Sequence, residues 1–230
     1  MVFKRYKTRF KAGEILAEII KDIRLYNLIS NHPEDFFCYT IPNGGVPVAE
    51  GFCSMLGIRY DVLIVRKIKI PWNTEAGFGS VTTDGTVLIN DSLLNRLNLA
   101  ENEVNKSIKL TIKEIKNRLE FYDKKIDDQI LIKNIQNKYV FLIDDGLASG
   151  FTMLAAIKMI KKYNPLKILI AVPTAPLHTV KNLQDEGVEI ICPNIRDVLR
   201  FAVADAYQKW YDVLESEVLE ILNYSNYYVK

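Results

Sequence analysis

The stretch that most constrains this chain is KYVFLIDDGLASGFTMLAAIKMI, Lys138 to Ile160. A short run of aromatic and aliphatic residues, Tyr139 to Ile143, ends abruptly in two adjacent acids, Asp144 and Asp145. A loop of mostly small residues follows, and an apolar pattern at helical spacing begins at Phe151. An apolar run of that length, closed by a turn and followed by a helix, reads as a strand buried on both faces. Strands of that kind belong to parallel sheets covered by helices, whose ligands lie beyond the carboxyl ends of the strands. The paired acids therefore fall where such a fold binds its ligand.

The rest of the chain repeats the alternation. The spacing predicts a first helix from Ala12 (AGEILAEIIKDI), a strand FFCYTI ending at Pro42, and a turn into a helix over IPNGGVPVAEGFCSMLG, with Gly57 as its stop. RYDVLIV reads as a second strand, RKIKIPWNTEAGFGS as a loop, and VTTDGTVLI as a hairpin turning at Asp84-Gly85. From Glu101 to Lys125 one apolar stripe (Val104, Ile108, Ile112, Ile115, Leu119, Tyr122) predicts a long helix, an arm against the core or a partner subunit. Beyond the acids come helix FTMLAAIKMIKKY, strand KILIAV, helix PLHTVKNLQDEG, strand VEII and a tail from Asp197 that reads as helical and aromatic. The expected fold is α/β, a central parallel sheet with helices on both faces.

Composition narrows the class. The 230 residues suit one domain, and 49% hydrophobic with 25% charged residues is a globular balance. A net charge of +2 selects no nucleic-acid partner. The basic amino terminus (Lys4, Arg5, Lys7, Arg9, Lys11) reads as a solvated tail or an intersubunit contact, not a DNA arm. Cys38, Cys53 and Cys192 lack metal or redox spacing, which suits a reducing cytoplasm. No secretory pattern opens the chain, and no apolar run approaches the ~20 residues of a membrane span.

Two adjacent carboxylates raise each other's pKa and cost stability unless a ligand's hydroxyls or a cation offsets them. Gly146, Ala148, Ser149 and Gly150 let backbone N–H groups converge, and with Phe151 and Thr152 they lead into a helix amino terminus that favours an anion. Acids for sugar hydroxyls beside donors for a phosphate match a phosphorylated ribose. The plainer alternative is an acid capping the next helix, for which one would suffice. Gly44 and Gly45 before a helix offer a second place where backbone can approach phosphate, a weak signal alone.

VFLIDDGLASGFTM resembles the phosphoribosyl pyrophosphate (PRPP) motif of the type I phosphoribosyltransferases, in which apolar residues lead to two acids and a small loop ending in Ser/Thr-Gly-x-Thr. IPNGGVPVAEG resembles that family's pyrophosphate loop, which often holds a non-proline cis peptide, and VRKIKIPWNTEAGFGSV resembles its flexible active-site loop. Together with AVPTAP and FAVADAYQKWYDV, the order of motifs resembles a group of stand-alone prokaryotic phosphoribosyltransferases known from sequence, over nearly the whole chain.

The resemblance implies a Mg²⁺-dependent enzyme that transfers ribose 5-phosphate from PRPP to a nitrogen acceptor such as a nucleobase, releasing pyrophosphate. Asp144 and Asp145 would hold the ribose hydroxyls or metal, directly or through water. Residues Gly146 and 148–152 would cradle the 5-phosphate, and Asn43, Gly44, Gly45, Arg66 and Lys67 would hold the pyrophosphate. Residues 67–79 would close over the site. A core of about 36–192 would carry a hood built from the N-terminal segment and residues 193–230, in one domain of a cytoplasmic homodimer without nucleic-acid or membrane partners. Asn43 stands where the family commonly has Arg, so either the grip on diphosphate is weaker or Arg66 compensates. Phe201, Tyr207 and Trp210 are candidate stacking surfaces for a base or plain core, His178 and His32 candidate proton-transfer groups or incidental, and Trp72 and Glu75 candidate substrate contacts in the mobile loop. Two other readings fit these residues: a PRPP-sensing regulator, and a relative that hydrolyses or phosphorolyses a phosphoribosyl compound.

Overall fold

The computed structural model describes residues 4–21, 25–125 and 127–230. The chain opens with α1 (Arg9–Lys21), α2 (Leu25–Asn31), β1 (Phe36–Thr40) and α3 (Gly45–Leu56). Next come β2 (Tyr60–Val62), β3 (Val65–Ile70), β4 (Asn73–Thr82), β5 (Val87–Ile89) and α4 (Asp91–Leu97). The long α5 (Glu101–Phe121) and α6 (Asp128–Ile135) lead to β6 (Tyr139–Ile143). After it follow α7 (Phe151–Lys161), β7 (Lys167–Ala171), β8 (Thr174–Pro176), α8 (Leu177–Gln184), β9 (Glu189–Ile191), β10 (Asn194–Arg196) and α9 (Glu215–Tyr224).

Five parallel strands in the order β2-β1-β6-β7-β9 form the central sheet. Alternate residues of each strand enter opposite cores. Phe36, Cys38, Phe141, Ile143 and Leu169 pack with Leu16, Phe52, Leu119 and Leu222 on one face. Phe37, Tyr39, Val140, Leu142 and Ile170 pack with Met153, Ile157 and Leu183 on the other. Burial on both faces is why these strands are apolar throughout, and the expected α/β sheet is observed.

Helices α1 and α3 meet backbone to backbone. A Cβ on Gly13 would lie 2.0 Å from the Val48 carbonyl oxygen, and one on Gly51 would lie 2.1 Å from that of Phe10. Glycine at both positions permits the crossing that carries the N-terminal helix onto the sheet.

Three expectations change. RYDVLIV is not one strand: β2 pairs with β1 and ends at Val62, while β3 leaves the central sheet. The expected loop RKIKIPWNTEAGFGS is instead an antiparallel ribbon, in which β3, β4 and β5 form their own sheet with bulges beside Lys69. Its inward side chains Ile68, Ile70, Phe78 and Val81 are buried, which makes it a folded element. The stripe on α5 packs against this chain's own core, one of the two places expected for it. The tail from Asp197 is mostly irregular up to Leu214, with a 3-10 turn at Val203–Ala206, and becomes helical in α9. The turn at Asp84-Gly85 behaves as read, with Gly85 at φ +82°. α2, α4, α6, β8 and β10 are elements that the sequence pattern did not predict.

Candidate active site

The chain passes from β1 through α3 to β2 on one side of β1, and its other neighbour is β6. The strand order thus reverses between β1 and β6, and the loops after them separate to leave a crevice. Thr40 pairs with Ile143, so the loop from Ile41 and the loop from Asp144 start side by side. Pairing also brings the two suspected motifs, a hundred residues apart in sequence, to one place.

The fit is close. A Cβ on Gly44 would stand 2.0 Å from Asp145 Oδ2, and one on Gly45 would stand 2.7 Å from Thr40 Oγ1 and 3.0 Å from the Ile143 carbonyl oxygen. Gly44 and Gly45 are required by the acids and the strand behind them. The Pro42–Asn43 peptide is cis.

Asp144 and Asp145 are half-buried. Asp144 Oδ1 accepts from the Asp145 N–H at 2.8 Å. Burial, and then the Asp145 charge, push the Asp144 carboxyl well above the ordinary carboxylate range. Burial raises Asp145 too, opposed by the Arg9 guanidinium, whose Nε donates to Asp145 Oδ2 at 2.8 Å. Arg9 is 6% exposed. The expectation that it belongs to a solvated basic tail is overturned: α1 carries it into the site. Trp210 stacks on its guanidinium at 4.1 Å, with Tyr211 at 5.4 Å and Tyr207 at 5.5 Å. Of the tail aromatics proposed for a base, Tyr207 and Trp210 therefore face Arg9, and the Tyr207 hydroxyl donates to the Asp145 carbonyl at 2.7 Å. Phe201 lies by Arg196 instead.

The loop after the acids is tied from behind. Leu147 N–H donates to the Thr174 carbonyl at 2.9 Å, and Thr179 Oγ1 donates to the Ala148 carbonyl at 2.7 Å. Gly150 has φ +75°, and a Cβ there would meet Thr179 Cγ2 at 2.6 Å, so glycine serves the turn and the packing. A Cβ on Gly146 would meet Val203 Cγ1 at 2.6 Å. Ala148 and Ser149 are exposed, and Phe151 and Thr152 are half-buried at the start of α7. The N-cap residue, Gly150, has no side chain to bond that helix, and the Ser149 hydroxyl accepts from the Phe151 N–H at 3.4 Å. The open amino terminus can accept an anion.

On the far side of the glycine loop, Asn43 turns away from the acids. Its amide donates to the Val213 carbonyl at 2.7 Å, and its Oδ1 accepts from Arg118 Nη2 and from Tyr122 at 3.5 Å. Arg66 and Lys67 leave β3 at the edge of a cleft of about 570 Å³ that Arg118 also lines. Lys69 lines it too and pairs with Glu114 at 2.9 Å. His32 and His178 are exposed, as is Trp72, and the side chain of Glu75 lies outside the described residues.

Arg9 and Arg118 were not read as site residues, yet each carries a sequence signal. Arg9 opens the buried stripe of α1 that continues through Ala12, Gly13, Leu16, Ala17 and Ile20. Arg118 falls three residues after Ile115 and four before Tyr122, on the edge of the α5 stripe. A cation at an apolar position of a helix asks for a buried partner.

Three comparisons bear on this arrangement. The family model described as the phosphoribosyl transferase domain matches residues 6–206. Two Mycobacterium tuberculosis proteins (strains CDC 1551 and H37Rv), named provisionally as phosphoribosyl transferases, are 29% identical over 183 residues, 80% of this chain and 40% of theirs. The chain thus spans about 40% of the length of these curated relatives. The crystal structure of TT1426 from Thermus thermophilus covers 95% of this chain and 97% of its own, with TM-score 0.73 and 26% identity.

Proposed function

The chain belongs to the phosphoribosyl transferase domain family, and on that premise we propose that it transfers ribose 5-phosphate from PRPP to a nitrogen acceptor, with pyrophosphate as the leaving group. The observation that carries this reading is the meeting at one crevice of three groups: two half-buried acids, a glycine loop that touches them, and a helix amino terminus with glycine at its cap. A ribose carrying phosphate at one end and diphosphate at the other needs that set.

In this reading Asp144 and Asp145 accept from the ribose hydroxyls, and Asp145 is aimed by Arg9. Backbone N–H groups from Gly146 and residues 148–152 hold the 5-phosphate. Gly44 and Gly45 with Arg66 and Lys67 hold the diphosphate. The side chain of Asn43 is engaged elsewhere, so that residue offers its backbone. The transition state gathers positive charge on the ribose and negative charge on the leaving diphosphate, so the chain's work is placement and charge stabilisation.

The acids also fit a Mg²⁺ ion that arrives with its substrate. Among the described residues no group of three or more metal-ligating side chains gathers. Mg²⁺ asks a protein for one or two carboxylates and takes the rest from water and phosphate. The raised carboxyl pKa values mark negative charge that a cation would relieve. Bound there, the ion would neutralise the leaving group. A nucleobase is the proposed acceptor class. Homodimerisation in a cytoplasmic protein is a separate expectation, which sedimentation of the purified chain checks.

The test is pyrophosphate release from PRPP with Mg²⁺, across purine and pyrimidine bases with a no-base control. Base-dependent release supports transfer and names the acceptor. Release without base points to hydrolysis. Binding of PRPP without release under any acceptor points to a sensor.

A further inference from the structure

We propose that Arg118 is a diphosphate-binding residue of this site, held in reserve by Glu215. The proposal rests on the phosphoribosyl transfer read above and adds a residue that its motifs do not contain.

The cleft of about 570 Å³ lies between the β3–β4 ribbon, α5 and the start of α9. Arg66, Lys67, Lys69 and Arg118 line it, against the carboxylates of Glu114 and Glu215. Lys69 pairs with Glu114 and Arg118 with Glu215, each at 2.9 Å. Two guanidinium groups in its lining, Arg66 and Arg118, suit the cleft to a multiply charged anion.

Arg118 joins this cleft to the acids. Its Nη2 donates to Asn43 Oδ1, and Asn43 precedes the Gly44 that lies against Asp145. One side chain thus borders both the glycine loop and the cationic wall on β3. Its geometry is set from several sides. Nε lies 3.4 Å from the Tyr122 hydroxyl, and the guanidinium sits 5.9 Å from that ring. The Arg118 side chain is 14% exposed, whereas that of Glu215 is 45% exposed, on the first turn of α9. Arg118 is the fixed partner and Glu215 the one that can swing away. A diphosphate entering the cleft presents oxygens in the geometry a guanidinium grips with two bonds, so it competes directly with the Glu215 carboxylate. Glu215 stands in for the anion when the site is empty.

The two partners therefore have opposite effects. Titration of the full chain with inorganic pyrophosphate and Mg²⁺ is expected to show about tenfold weaker binding for Arg118→Ala. Arg118→Lys should fall between that variant and the parent. Glu215→Gln should bind about threefold tighter, because an exposed competitor is removed. A clasp that merely fastens α9 to α5 would make both variants weaken binding alike, and that result overturns the proposal. Arg118→Ala binding as the parent does overturns it as well. Thermal unfolding of each variant accompanies the titration. If Arg118→Ala fails to fold, the sign of Glu215→Gln decides. A parent chain that binds neither PRPP nor pyrophosphate overturns the functional reading itself, and this inference with it. A parent that binds both with unchanged variants overturns the inference alone.

Discussion

Asp145 accepts from Arg9 at 2.8 Å, while Asp144 accepts from the backbone N–H of Asp145. The same residue type twice in a row therefore has two different energetic roles. Burial and the neighbouring charge hold the Asp144 carboxyl above its ordinary value. A carboxyl raised in the folded state contributes stability at low pH and loses it as pH rises through the folded value. At neutral pH, ionised Asp144 is a burden on the empty fold. Asp144→Asn keeps an acceptor for the Asp145 N–H and drops the charge. It is expected to raise the melting temperature at neutral pH by about 2–4 °C for each kcal/mol recovered, while pyrophosphate release falls. The gain should vanish below the ordinary carboxylate pKa, where both states of the parent hold the proton. Asp145→Asn should raise the melting temperature less, because burial raises that carboxyl too but its loss also leaves the Arg9 guanidinium without its counter-charge. Scanning calorimetry of both variants over pH checks the order, and two variants that shift alike would refute the asymmetry. The acids were legible in the sequence because everything that marks them is local: strand, acids, small loop, helix. Arg9 was not, because its partner is 136 positions away and its neighbours Lys7 and Lys11 are plain surface cations.

At the scale of elements, what was legible followed from burial on both faces. β1, β6 and β7 have no polar face to confuse the pattern, so apolar runs located them. The ribbon was missed because Pro71 and the glycines of EAGFGS look like loop punctuation. Here the glycines serve the sheet: a Cβ on Gly77 would stand 2.1 Å from Lys67 Cγ, and one on Gly79 would stand 2.6 Å from the Leu88 carbonyl oxygen. The alternation in VRKIKI, with Ile68 and Ile70 buried and Lys67 and Lys69 exposed, was the available signal. Gly79→Ala is expected to disturb both neighbouring strands, costing about 1–3 kcal/mol. It should speed amide exchange in β3 and β5 while leaving β1 and β6 protected. Equal loss in all four would mean that the ribbon has no separate cooperativity. Gly13 is the matching test for the helical layer. Gly13→Ala would press a methyl group into the Val48 carbonyl and push α1 off α3. The expected loss is about 3 kcal/mol, the upper end for overpacking, together with weaker PRPP binding, because α1 carries Arg9. Glycines inside apolar helices were visible in the sequence, but the helix they face was not.

For the whole molecule, the two ends of the chain do different work on opposite parts of the sheet. Near the amino terminus, Tyr6 N–H donates to the Ala206 carbonyl and Gln208 N–H to the Tyr6 carbonyl, both at 2.8 Å, which closes the chain over Asp145. At the carboxyl terminus, residues 225–230 lie along β2, the outer strand of the central sheet. Tyr60 N–H donates to the Tyr227 carbonyl and Val229 N–H to the Tyr60 carbonyl, both at 2.9 Å. Tyr228 is 7% exposed and its ring lies 5.7 Å from that of Tyr60. Lys124 adds a bond to the Val229 carbonyl and an ion pair with Asp61 at 3.0 Å. The tail therefore covers a sheet edge that would otherwise offer unpaired N–H and C=O groups to another chain. It does so near the start of β2, whereas the acids lie beyond the far ends of the strands. Removing residues 225–230 is expected to cost about 3 kcal/mol, mostly from the lost Tyr228 burial, and to promote concentration-dependent association through β2. The fraction that stays folded and monomeric should bind PRPP as the full chain does. Chemical denaturation, light scattering over a concentration series and a PRPP titration of the monomer peak separate these effects. A monomeric, equally stable truncated chain would show that the edge needs no cover, and a folded monomer with weakened PRPP binding would show that the tail reaches the site through the sheet.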